Sequence, residues 1–137
     1  MTRLDLLYRH CADEGIDVEW LDLGATRRGQ YLDDERLIQL NTRLTFQQAT
    51  STLAHEWGHA YFRDRRSTRR IEARAWEFGA ATIITPEEYR GAEFVYGHHT
   101  GALADALEVT PILIEAWRRW FAKRYPVQLE RDVEPLA

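Results

Sequence analysis

Apolar and polar residues recur at two different periods along this chain, and the change of period divides it. Over residues 2–14, Leu4, Leu7 and Cys11 fall at helical spacing with Leu6 beside them, and Gly15 stands where that helix would stop. The next stretch, IDVEWLDL (16–23), alternates Ile16, Val18 and Trp20 with polar residues, as a strand does, and slips at Leu21. GATRRG (24–29) reads as a turn, QYLDD (30–34) as a short strand or turn, and RLIQLN (36–41) as a second strand. Residues 16–41 are therefore expected to form a small antiparallel sheet.

From Thr45 the helical period returns. Thr45 with Gln48 three positions on is a capping-box pattern. Thr85-Pro86-Glu87-Glu88 repeats it with proline at the first helical position, and Thr110-Pro111 opens a last helix in the same manner. The spacing predicts helices over about 45–62, 69–84, 86–95, 100–108 and 111–124. The expected fold class is α+β: a mostly helical domain with a small antiparallel sheet and a helical C-terminal part. One domain is expected over residues 1–124, its C-terminal part beginning at 85, with 125–137 (ending PVQLERDVEPLA) as a poorly ordered tail.

Composition changes this picture little but excludes a good deal. A chain of 137 residues, 45% hydrophobic, is large enough to bury a core as one domain. A formal charge of −4 argues against a protein built to coat nucleic acid or an anionic membrane. Cys11, the single cysteine, has no intramolecular disulfide partner, which suits a reducing compartment and leaves no thiolate metal cluster. The N-terminus MTRLDLLYRHCADEG lacks the apolar run of a signal peptide, and nothing approaches the ~18 apolar residues of a membrane span. The expected setting is cytoplasmic, with no membrane association.

The chemistry concentrates in residues 55–59, His-Glu-Trp-Gly-His. With about 100° per residue, Phe46, Ala49, Leu53, Trp57 and Ala60 form one apolar stripe, while His55 and His59 lie together nearly opposite it, beside Gln48, Ser51 and Thr52. A core histidine would sit within the stripe; a solvated polar face would look the same as a site. Two histidines at i and i+4 can direct ring nitrogens at one ion. Glu56, about a third of a turn away, can take a proton from water that such an ion acidifies, so the HExxH spacing assembles metal-assisted hydrolysis.

A catalytic zinc ion usually takes three protein ligands. Candidates for the third are Asp64, Glu72, Glu77, Glu87, Glu88, His98 and His99. Asp64 would need a sharp chain reversal to point back. Glu72 is better placed, in the first turn of a helix that follows the polar RDRRSTRR and carries Ile71, Ala75 and Phe78 along one side. Glu77 falls on a different side and reads as solvated.

HEWGHA and EARAWEFGAATIITP together resemble the ImmA/IrrE metallopeptidases, regulators of phage immunity and bacterial stress. That family carries HE-x-x-H on one helix. Its next helix has a Glu, an Ala three positions on, a Phe-Ala pair, an apolar run and a Pro. Glu72, Ala75, Phe78, Ile83-Ile84 and Pro86 match, while Gly79 stands for the second residue of the Phe-Ala pair and Trp76 where the family usually has Asn. The likeness spans roughly residues 1–120, with 55–59 and 72–86 distinctive. It implies a zincin-like fold whose metal-site core is residues 1–84, zinc held by His55, His59 and Glu72, Glu56 as general base, and a helix-turn-helix repressor as protein substrate. The alternative it leaves is a non-proteolytic zincin-like module that regulates a repressor or toxin.

Two other features carry weaker signals. Arg63, Arg65, Arg66, Arg69, Arg70 and Arg74 invite a nucleic-acid reading, but in an acidic chain they read better as a solvated interhelical loop, and no direct nucleic-acid binding is expected. Residues 98–121 have a faint helix-turn-helix look, yet Leu113, Trp117, Trp120 and Phe121 fall at core spacing. His98 and His99 read as a solvated pair, with a transition-state hydrogen bond near the metal as the sharper alternative.

Overall fold

The computed structural model describes residues 1–126, so the expected tail lies outside the described residues from 127 onward. Helix α1 (Arg3–Asp13) starts at a reciprocal cap between Thr2 and Asp5 and buries Leu7 and Cys11. Gly15, at φ 70°, turns the chain out of it into the sheet. Strands β1 (Asp17–Leu21), β2 (Gly29–Leu32) and β3 (Leu37–Asn41) follow, with a 3-10 turn at Asp33–Glu35 between the last two.

The sheet is mixed, which corrects the expectation of an antiparallel one. Its order is β1-β3-β2, with β3 parallel to β1 and antiparallel to β2. Alternation in β1 carries no information about direction. Two chain reversals restore the direction of β1 by the time β3 begins. β3 then takes the centre because Ile38 and Leu40 are the strand residues that become wholly buried. β2 is left as an edge.

The helices follow the predicted caps closely. They are α2 (Phe46–Tyr61), α3 (Arg69–Ile83), α4 (Pro86–Tyr96), α5 (Thr100–Leu107) and α6 (Pro111–Arg124). Thr45 with Gln48, and Thr85 with Glu88, form the reciprocal caps their spacing predicts. Thr110 differs: its side chain makes no cap bond, and its N–H donates instead to Ser51 Oγ on α2 at 2.9 Å. α2 runs through the middle of the molecule against the sheet, α1 and α3, so Thr50, Ser51 and Thr52 are buried along with Leu53. Phe46, placed in the apolar stripe by the wheel, is exposed at the end of the helix.

The C-terminal helices complete the same core. Leu113, Ile114 and Trp117 are buried, Trp120 and Phe121 pack against them, and Trp117 Nε1–H donates to the Ile84 carbonyl at 2.9 Å. Among the described residues no helix is long and apolar enough to cross a membrane.

Candidate metal centre

The site is built on the crossing of α2 and α3. A Cβ at Gly58 would lie 2.3 Å from the Ala75 carbonyl oxygen, and one at Gly79 would lie 2.1 Å from that of Ala54. Ala54 and Gly58 on one helix thus meet Ala75 and Gly79 on the other, each pair four residues apart, and the two backbones touch. This small-residue crossing sets which residues of α3 face the histidines. Glu72 lies one turn before Ala75, and His55 and His59 each follow one of the α2 contact residues.

The three side chains come together. His55 Nε2 is 2.8 Å from Glu72 Oε1, His59 Nε2 is 3.1 Å from the same oxygen, and the two Nε2 atoms are 3.1 Å apart. Among the described residues these three form the one group of His, Cys, Asp or Glu able to hold a metal ion. Donors held at about 2.0–2.2 Å around a tetrahedral zinc lie about 3.3–3.5 Å from one another. Opening this triangle by a few tenths of an ångström meets that, so the residues fit such an ion. Buried His59 and Glu56 also remove the solvated-face reading of the helix.

The charges around the triangle shift two of its members in opposite directions. Burial disfavours charge on the His55 ring, but the Glu56 and Glu72 carboxylates outweigh it and raise its pKa above the ordinary imidazole value. Burial likewise works against the Glu72 carboxylate, yet the Ser67 hydroxyl and the two imidazoles hold its pKa below the usual range. Ser67 Oγ–H donates to Glu72 Oε2 at 2.8 Å and leaves Oε1 facing the histidines. Glu56 stands outside the triangle, Oε2 3.3 Å from His55 Nδ1, and lines the adjoining cavity.

Asp64 does point back, contrary to the sequence reading. Arg63 takes a left-handed φ of 55°, and the Asp64 N–H closes on the His59 carbonyl at 2.9 Å, which together make the sharp reversal. Asp64 Oδ2 then accepts from His59 Nδ1–H at 2.9 Å, while Oδ1 accepts from Arg74 at 2.8 Å. It thus holds one ring of the triangle from outside and is not one of the three corners. An acid five residues after the second histidine was the available signal, and a backbone angle unusual for arginine hid it.

Glu77 also departs from expectation. It is buried, and Lys123 Nζ reaches its carboxylate at 2.9 Å, with Arg119 Nε at 3.4 Å, so it ties α3 to α6. His98 is exposed and bonded to Glu93, and His99 caps α5 by accepting from Ala102 N–H; neither lines the cavity. Within the arginine run, Arg63 and Arg65 pair with Asp33, Arg65 also with Asp34, and Arg74 with Asp64. Half of the run is thus engaged within the fold.

A cavity of about 690 Å³ opens over the triangle. β2 forms one wall, the segment Arg65–Ser67 another, and His55, Glu56, His59 and Glu72 the floor. The family model described as IrrE N-terminal-like domain matches residues 11–116 of this chain. No curated protein matches it.

Proposed function

Because the chain belongs to the IrrE N-terminal-like domain family of metallopeptidases, we propose that it is a zinc-dependent endopeptidase that cleaves one regulatory protein, a repressor of the helix-turn-helix kind, in the cytoplasm. The observation that carries this reading is the triangle of His55, His59 and Glu72 with the carboxylate of Glu56 beside it at the floor of a cavity. Two imidazoles and one carboxylate favour zinc among the common divalent ions. The ion would supply Lewis acidity to water and to a peptide carbonyl.

The chain's own residues do the rest. Glu56, held off the triangle, accepts the proton of the attacking water and returns it to the departing amine. Asp64 fixes the ring of His59. β2 is the edge strand that lines the cavity, so its unpaired backbone groups can take an extended peptide as an added strand. Cleavage of a folded regulator in one exposed segment suits such a site better than bulk digestion does.

Metal content by mass spectrometry and cleavage of a panel of helix-turn-helix repressors, with Glu56→Gln beside the parent chain, test the proposal. The expected outcome is near-stoichiometric zinc in both proteins and proteolysis in the parent alone. The rate should fall at least the ~10²–10⁴-fold typical of losing a general base. Regulation of a repressor that persists in Glu56→Gln without any cut would make the chain a binding module instead.

A further inference from the structure

The two histidines of the triangle are held by different means. His59 is fixed by Asp64, a carboxylate outside the triangle, which is itself anchored by Arg74. His55 has no carboxylate reserved for that purpose. The group facing its Nδ1 is Glu56 at 3.3 Å, the carboxylate proposed to move protons. A base that must also hold its neighbour's ring in place serves two demands at once.

Trp76 supplies what is missing. Its ring lies on that of His55 with centroids 4.2 Å apart and planes 4° from parallel. Rotating His55 about its Cβ–Cγ bond would drive an imidazole edge into the indole, so the stack keeps Nε2 aimed at Glu72 and His59 without using any hydrogen bond. Trp76 follows Glu72 by four residues on α3, so one helix face presents both a ligand and the surface that orients another. Ala75, next to Trp76, is in backbone contact with Gly58, which holds the indole at the height of His55. An imidazole bound to a divalent cation is also electron-poor and stacks more favourably on an indole face.

We infer that Trp76 is a positioning residue for the metal centre: by stacking on His55 it sets the ring plane of that ligand and so raises zinc affinity. The inference rests on the metal reading of the triangle. It is tested by titrating zinc into the purified full chain against a chromophoric chelator, for the parent, Trp76→Phe and Trp76→Leu. Thermal unfolding of the zinc-free proteins runs alongside. Aromatic pairs contribute enough that Trp76→Leu should bind zinc roughly 2- to 10-fold more weakly. Trp76→Phe should recover most of that loss, while the two zinc-free variants unfold at similar temperatures. Equal zinc affinity in Trp76→Leu and the parent would overturn the inference and leave the metal reading standing, as would equal losses in the leucine and phenylalanine variants. A parent chain that takes up no zinc would bring down the metal reading and this inference with it.

Discussion

At the scale of single residues, three carboxylates take three different positions around the two histidines. Glu72 faces both histidines, Glu56 stays outside the triangle, and Asp64 holds a ring from behind. Outer partners of metal-binding histidines commonly contribute 10–100-fold to affinity. Asp64→Asn, which keeps the shape but removes the charge, should weaken zinc binding by roughly tenfold in chelator competition. His55 ties the site to pH. Its raised pKa means that the zinc-free protein carries a stabilising charge below the unfolded imidazole value of about 6.5 and loses it as pH rises through the higher folded value. Zinc requires the neutral ring, so its affinity should move the opposite way and climb over the same interval. Unfolding midpoints and zinc titrations from pH 6 to 9 would show the two curves crossing; a parallel fall in both would contradict the charge assignment.

Among elements, the α2–α3 crossing decides the site. The pattern Ala-x-x-x-Gly occurs in both helices, at 54–58 and 75–79, and its backbone contact leaves no room for a methyl group at either glycine. Gly→Ala within a helix normally stabilises by about 0.5–1 kcal/mol through backbone entropy. At Gly58 the clash should reverse that sign, destabilising by about 1–3 kcal/mol as overpacking does, and by parting the helices it should weaken zinc binding too. Gly91, in α4 with open space around its Cα, serves as the control: Gly91→Ala should be neutral or stabilising with zinc affinity unchanged. Chemical denaturation of the two variants compares them directly. The sequence made both glycines visible but not their roles, since close approach is a property of two helices and neither sequence segment contains the other.

For the whole molecule, an ion held by α2 and α3 would be a cross-link between the central helix and the one that carries α6 on its other side. Zinc at one hundred times its dissociation constant should stabilise the fold by about 2.7 kcal/mol. That corresponds to a rise in unfolding temperature on the order of 10 °C, reversed by chelator and absent in His59→Ala. By itself the sequence determined the helices and where they start, because caps and periodicity are local: Thr45 with Gln48 and Thr85 with Glu88 close as their spacing requires. It also brought out the HExxH pair, since i and i+4 share a helix face whatever surrounds it. The order of elements ranked Glu72 first among several acids, but its contact with both histidines needed the second helix in place. The direction of β1, the burial of Glu77 opposite Lys123, the return of Asp64 through a left-handed arginine and the stack of Trp76 on His55 were decided by the tertiary structure. Each depends on a partner distant along the chain or on a backbone angle the residue type disfavours, and periodicity carries no record of either.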